Sequence, residues 1–185
     1  MRRAVLTAVV ALVLFMWAWA LVTWSVAPDR VPLHFGLSGQ PDRWGPRTVA
    51  SWFGMPILAI AMVLGMSWLG RWSLSRPERI NMPGKDRLES LPEGYREPVY
   101  EALRELMAWA MLETVGILAL IQWGIIRGAA GEGTRGVMAL VLGAAVLGSP
   151  FLLVFMTVRS QRALDAAHQR ARRDGALPLP ESDRA

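Results

Sequence analysis

The chain has 185 residues, of which 53% are hydrophobic and 19% charged, with a net charge of +5 and no cysteine. The absence of cysteine excludes a small domain held together by disulfides, and the apolar content excludes a disordered chain. The mean hydropathy of +0.30 does not separate a basic soluble protein from a membrane protein, so the distribution of apolar residues decides.

The apolar residues are concentrated in four blocks, at about 4–27, 48–70, 105–127 and 136–158. Each block is about 23 residues long, and a helix needs roughly 20 residues to cross a hydrocarbon core. Lipid offers the backbone no hydrogen-bond partner, so the blocks are predicted to be helices. We predict an all-α fold, an integral membrane four-helix bundle over residues 1–160, followed by a basic, partly disordered tail at 161–185.

The basic residues predict an orientation for these spans. Fifteen of the twenty Lys and Arg residues lie before the first block, between the second and third, or after the fourth. The positive-inside rule then predicts a multi-pass membrane protein with both termini cytoplasmic and the 28–47 loop outside. This distribution favours a lipid bilayer as the main partner and argues against nucleic acid, which needs a basic surface on a soluble fold.

The predicted outer loop at 28–47 contains four prolines and three glycines. This composition excludes a helix and predicts a structured extracytoplasmic cap after the first span. The sequence Gly39-Gln40-Pro41-Asp42 predicts a type I turn. The alternation of Val31, Leu33 and Phe35 predicts either a short strand or a segment lying on the membrane surface.

His34 is the one histidine in this loop, and Asp29 and Asp42 are its acidic neighbours. The three could form a metal site or a proton-handling site, with His34 and Asp42 as the candidate ligands. The alternative is a structural hydrogen bond from His34 to a turn carbonyl or to Asp42. We favour this alternative and predict neither a metal nor a cofactor, because three potential ligands without a fourth make a poor metal site.

The predicted inner loop at 71–105 carries a second motif, Asn81-Met82-Pro83-Gly84-Lys85. Its Pro83-Gly84 pair predicts a type II turn, and Asn81 can accept a hydrogen bond as in an Asx turn. We take Asn81, Pro83, Gly84 and Lys85 as a candidate inner-loop motif.

The start of the third span carries Glu97, Glu101 and Glu105 at intervals of four residues. This spacing predicts a solvated charged helix face, with a docking surface for a soluble partner as the alternative. The segment from Ser160 to Arg173 is predicted to continue the fourth span as a basic helix, with His168 solvated.

Glu113 is the ionisable residue inside a predicted span. An unpaired charge at that depth is costly, so such a carboxylate faces the bundle interior, pairs with another group or stays protonated. The functional alternatives are a proton relay, an ion site or a counter-charge for a ligand, and the structural alternative is a hydrogen bond between helices. Gln122 lies about 180° round the same helix, so the two residues are not predicted to share a site.

Small residues recur four apart in the spans, at Ala4 and Ala8, Ala61 and Gly65, Ala139 and Gly143, and Ala144 and Gly148. The pattern is typical of close helix packing, here predicted within one bundle, with a homodimer interface as the alternative. Trp52, near the start of the second span, is predicted to be an interfacial anchor. Pro56 and Pro150 are predicted to kink their helices.

At the outer loop the sequence resembles a bacterial membrane domain of unknown function, which also forms the N-terminal part of SdpI-type toxin-immunity proteins. The resemblance rests on a Val-Pro-x-His-Phe then Gly-x-Pro-Asp-x-Trp pattern. The matching positions are Val31, Pro32, His34, Phe35, Gly39, Pro41, Asp42 and Trp44. The resemblance implies a membrane interaction or sensing module located in a bacterial cytoplasmic membrane. A Gly-x-Arg-Thr-Pro-Trp pattern, carried by a further module of the immunity proteins, is not found in this sequence.

Three functions follow as hypotheses. The first is a non-enzymatic sensing or interaction module that binds a peptide or protein at the outer loop. The predicted binding residues are His34, Phe35, Gly39, Pro41, Asp42 and Trp44. The second is a small transporter or transport subunit that uses Glu113. The third is a membrane enzyme that uses His34 and Asp42, which we disfavour because no catalytic motif is present.

Overall fold

The computed structural model describes residues 1–178, apart from the side chain of Pro77. Most of this part of the chain is helical, and four helices are long and apolar enough to cross a membrane. They are α1 (Arg2–Trp24), α2 (Val49–Ser73), α4 (Glu97–Ala129) and a continuous helix over Arg135–Arg173. The four predicted blocks are therefore confirmed as helices of spanning length and composition.

The fold is not purely helical, because the 28–47 loop forms an antiparallel hairpin. Its strands are β1 (Arg30–Phe35) and β2 (Pro41–Pro46), with Arg30 opposite Pro46 and Phe35 opposite Pro41. The strand predicted from the alternation of apolar residues is confirmed. The description of the chain as all-α is corrected to a mostly helical fold with one hairpin among the described residues.

The turn of this hairpin lies earlier than predicted. The Gly39 amide donates to the Gly36 carbonyl at 2.8 Å, and the Gly36 amide donates to the Gln40 carbonyl at 2.9 Å. Gly39 has a φ of +73°, a conformation that glycine adopts without strain. Pro41 and Asp42 instead begin β2, so the predicted type I turn over Gly39–Asp42 is wrong.

The last long helix changes its winding midway. It consists of α5 (Arg135–Gly143), a π-helical turn (Ala144–Gly148) and α6 (Ser149–Arg173). Pro150 has no amide hydrogen, so the α-helical partner of the Val146 carbonyl is missing. The wider π turn lies at the position where the sequence predicts a kink.

The chain divides into two compact units. Unit 1 comprises Met1–Met66 and Ala108–Pro150, and unit 2 comprises Ser67–Met107 and Phe151–Ala185. In unit 1, a buried cluster joins α1, α2 and α4 through Val9, Met16, Ala59, Met111, Val115 and Leu118. The sequence predicts a four-helix bundle. Within unit 1, α1, α2 and α4 pack together with α5, which is the first part of the fourth spanning helix.

A second cluster of unit 1 ties the hairpin to the helices. Val31 of β1 is buried with Ala20, Trp52, Phe53 and Ile125. The indole nitrogen of Trp52 donates to the Ala20 carbonyl at 2.9 Å. Trp52 is thus a core residue, and its predicted role as an interfacial anchor is wrong.

Unit 2 contains α3 (Lys85–Ser90), the single turns Pro77–Arg79 and Glu93–Tyr95, and parts of the long helices. Its core combines the inner loop with the predicted tail. The buried members are Ile80, Met82, Leu88, Leu91, Val99, Leu164, Ala167 and Ala171. The basic tail is therefore helical to Arg173, while residues 179–185 lie outside the described part.

His168 is buried in this unit, and its Nε2 lies 2.9 Å from the carbonyl oxygen of Arg87. The expectation that His168 is solvated is wrong, because a backbone acceptor from the inner loop satisfies the imidazole.

The paired small residues do not all pack within the chain. Ala4, Ala8, Ala61 and Gly65 are exposed, and a Cβ added at Gly65 would meet no atom within 4 Å. The prediction that these residues mediate packing within the chain is wrong for these two pairs.

Candidate functional site

The hairpin is fixed at its turn by a buried hydrogen bond. The hydroxyl of Thr134, immediately before α5, donates to the Gly39 carbonyl at 2.6 Å. Both residues are buried. A Cβ added to Gly39 would lie 3.0 Å from the Cα of Arg135, so the backbone of the turn lies close to the backbone at the start of α5. Thr134 was not predicted as a site residue, since nothing in its local sequence indicates this distant partner.

The body of the hairpin lies against the end of α4. A Cβ added to Gly128 would meet Pro32 at 2.9 Å and Pro41 at 3.3 Å, and one added to Gly124 would meet Phe35 at 3.6 Å. Among the predicted binding residues, Phe35, Gly39 and Pro41 therefore form the base by which the hairpin docks.

Other side chains of the hairpin are exposed. The side chains of His34 and Asp42 are 58% and 52% exposed, Leu33 and Trp44 are exposed, and Leu37 at the turn is fully exposed. The six predicted binding residues thus fall into two groups. Phe35, Gly39 and Pro41 contact the helices, and His34, Asp42 and Trp44 are exposed.

His34 and Asp42 contact each other across the strands, with Nδ1 2.6 Å from the carboxylate. The predicted hydrogen bond between them is confirmed. Asp29 instead lies near Arg47, with 4.0 Å between charged atoms. Among residues 1–178, no group of three or more His, Asp or Glu side chains is arranged to hold a metal ion.

The inner-loop motif of unit 2 is used to pack the loop on α6. The Pro83 carbonyl accepts a hydrogen bond of 2.6 Å from Gln161. Gly84 has φ +77° and ψ +25°, as the second central position of a type II turn requires. Lys85 donates to the Glu78 carbonyl at 2.9 Å, and Asn81 is exposed. These contacts give Pro83, Gly84 and Lys85 structural roles.

The charged face at the start of α4 is only partly solvated. Glu105 is buried, and its carboxylate lies 2.5 Å from the guanidinium of Arg159. Arg104 pairs with Glu97 at 2.6 Å and Glu101 at 3.1 Å. The predicted solvated face is therefore wrong for Glu105.

Glu113 lies in unit 1 on the face of α4 next to the π turn. The Ser149 hydroxyl donates to Glu113 Oε1 at 2.9 Å, and a Cβ added to Gly148 would lie 2.9 Å from the same oxygen. Among residues 1–178, no ion pair within 4.0 Å involves Glu113. Sequence reasoning identified Glu113 and missed Ser149, whose approach depends on the π turn.

Gln122 has a separate environment, as predicted. Its amide nitrogen donates to the Met16 carbonyl at 3.1 Å. Its carbonyl oxygen is buried and has no hydrogen-bond partner among the described residues. Gln122 thus joins α4 to α1 and does not share a site with Glu113.

The chain is similar to known proteins over a part that includes the hairpin. The family described as "Domain of unknown function (DUF1648)" matches residues 11–60. An uncharacterized protein of Archaeoglobus fulgidus is 50% identical over 32 residues, which are 17% of this chain and 18% of that protein. The chain thus spans less than a fifth of the length of this curated relative. No solved structure matches the chain. The matched domain and the four apolar helices indicate a membrane protein of unknown function.

Proposed function

We propose that this protein is a non-enzymatic sensing or interaction module of the cytoplasmic membrane, related to the SdpI-type immunity proteins, and that its hairpin binds a peptide or protein partner. The proposal takes the hairpin to face outward, as the distribution of basic residues predicts. It also takes both termini to be cytoplasmic.

One observation carries the proposal. The hairpin is anchored at its turn by the buried Thr134 to Gly39 hydrogen bond, while Leu37 in the same turn is fully exposed. A loop that only connects two spans has no need for such an anchor. A fixed backbone that exposes apolar side chains lowers the entropy lost on binding, and this favours recognition of a partner.

The chemistry of the exposed face favours a polypeptide. Leu33, Leu37 and Trp44 offer apolar contact area, and the His34 and Asp42 pair offers hydrogen-bonding groups beside it. A mixture of aromatic, aliphatic and polar groups is typical of protein interfaces.

Photo-crosslinking tests this proposal in cells. A benzophenone amino acid replaces Leu37, and the control replaces Gly133, which is exposed between α4 and α5 and where an added Cβ would meet no atom within 4 Å. A discrete protein adduct at Leu37 that is absent at Gly133 supports the proposal. Adducts with lipid alone at Leu37 contradict it and assign the hairpin to the membrane surface.

A transport function is the second candidate, favoured by the contact between Glu113 and Ser149 beside a π turn. Carboxylates inside spans and π turns are both frequent at functional sites. Ion-gradient-dependent flux into proteoliposomes, lost in Glu113→Gln and retained in Gln122→Leu, would support transport. A flux equal to that of empty liposomes would exclude it for the ion tested.

A further inference from the structure

The carboxylate of Glu113 lies on a groove of about 470 Å³ in unit 1. Along α4 the groove is lined by residues of one helical face that includes Gly116 and Trp123, and along α1 by Phe15 and Trp19. Clefts of about 300–1,000 Å³ with an apolar lining and few polar groups are typical of small-molecule sites. The size and lining of this groove therefore suit a small amphiphile.

The carboxyl group of Glu113 has no cationic side chain beside it among the described residues. Ser149, a neutral hydroxyl, is its hydrogen-bond partner, and among residues 1–178 no Lys or Arg lies within 4.0 Å of the carboxylate. Arg127, farther along α4, is paired with Glu132 at 3.1 Å. A carboxylate in apolar surroundings is stabilised by a positive charge, and no side chain of residues 1–178 supplies one here.

Three aromatic rings line the same groove. Phe15 and Trp19 lie one helical turn apart with ring centroids 5.4 Å from each other. Trp123 contributes a third ring from α4, and the guanidinium of Arg127 lies 5.7 Å from the centroid of that ring. Aromatic faces attract organic cations, tryptophan most strongly, and the attraction increases when water is excluded. The rings and the carboxylate thus favour the same kind of ligand.

From this arrangement we infer that the groove binds an organic ammonium ion with an apolar body. The cationic nitrogen lies against Glu113 and the rings of Phe15 and Trp19, and the apolar body fills the space beside Gly116. The inference depends on the membrane location of the helices and is independent of a partner at the hairpin.

Gly116 provides a way to fill the groove without altering its charge. A Cβ added there would meet no atom within 4 Å, and the same is true at Gly65 on α2, which does not line the groove. Gly116→Leu therefore occupies the space of the ligand, and Gly65→Leu is the matched control with the same change of residue.

The experiment is equilibrium binding of radiolabelled dodecyltrimethylammonium to the full chain in nanodiscs, with empty nanodiscs subtracted. We expect saturable binding to the wild type and much weaker binding of 1-dodecanol, which has the same chain without the charge. Glu113→Gln is expected to weaken binding of the cation by about tenfold or more, since a charged partner becomes neutral. Gly116→Leu is expected to weaken it comparably, and Gly65→Leu to leave it unchanged.

Two results would overturn the inference. Equal affinity for dodecyltrimethylammonium and 1-dodecanol would identify a purely apolar groove, and this comparison needs only the wild type. Retention of full affinity by both Glu113→Gln and Gly116→Leu would place the binding elsewhere. If Glu113→Gln does not yield monodisperse protein, Gly116→Leu and the comparison of the two ligands still test whether the groove binds the ammonium ion.

Discussion

Replacement of Thr134 by valine tests whether the hairpin is held in place by a single buried hydrogen bond. Valine keeps the shape of threonine and removes the hydroxyl that donates to the Gly39 carbonyl. Thr134 makes no side-chain cap hydrogen bond to α5, so the helix loses no cap. The change therefore isolates the contact between the turn and the start of α5.

The expected magnitude follows from the burial of both groups. The Gly39 carbonyl would be left buried without its donor, and an unsatisfied buried acceptor costs about 1–3 kcal/mol. This cost lowers the free energy needed to detach the hairpin from the start of α5, so the population of the detached state rises by about 5- to 150-fold. Hydrogen exchange of peptides covering residues 31–44, measured by mass spectrometry in nanodiscs, should accelerate by that factor, while Thr134→Ser should exchange like the wild type.

A pair of glycine substitutions checks the same contact independently. Gly39 and Gly131 both have positive φ, +73° and +77°, so alanine incurs a similar backbone strain at each. Only at Gly39 does the added Cβ meet a backbone atom, the Cα of Arg135 at 3.0 Å. Gly39→Ala should therefore accelerate exchange in the hairpin more than Gly131→Ala. Unchanged exchange in both Thr134→Val and Gly39→Ala would refute the proposed anchor.

Three further predictions concern unit 2. Leu164→Ala should destabilise this unit by about 2–5 kcal/mol, because a fully buried leucine leaves a cavity, and a loss below about 1 kcal/mol in denaturant unfolding would contradict the packing. Arg159→Met should lower the free energy of unfolding more than Glu105→Gln does in the same assay. Arg159→Met leaves the Glu105 carboxylate unpaired with its side chain only 9% exposed, whereas in Glu105→Gln the unpaired Arg159 is 43% exposed and can reach water. The hydrogen bond from the Tyr95 hydroxyl to Asp174, 2.9 Å long, raises the pKa of Tyr95 above 10.0. The stabilising effect of this hydrogen bond is thus present below the pKa of tyrosine in the unfolded chain and is lost as the pH rises through the pKa of Tyr95 in the folded protein. Absorbance titration should show that Asp174→Asn lowers the pKa of Tyr95.

The spans could be predicted because length and hydropathy are properties of a continuous stretch of sequence. The strand at Val31 to Phe35 was also accessible, since alternation is local. The turn was placed wrongly because Pro41 and Asp42 have strong turn propensity, whereas the position of the turn depends on Gly39 fitting against Arg135. Local propensity carries no information about that distant backbone.

The errors on polar residues have a common physical origin. Glu105 and His168 look like solvated residues in sequence, yet each is buried against a partner from a distant segment, Arg159 and the Arg87 carbonyl. Burial of a polar group is tolerated when a partner satisfies it. The sequence shows the polar group, and only the fold shows the partner.

The two candidate sites are linked through one face of α4. Gly124 and Gly128, which contact the hairpin, lie on the same helical stripe as Glu113 and Ile117 of the groove, since eleven residues correspond to about three full turns. A substitution in the groove can therefore shift the surface on which the hairpin rests. Loss of crosslinking at Leu37 in Glu113→Gln would then not distinguish a missing ligand from a displaced hairpin. Hydrogen exchange of residues 31–44 separates the two cases, because only a displaced hairpin exchanges faster.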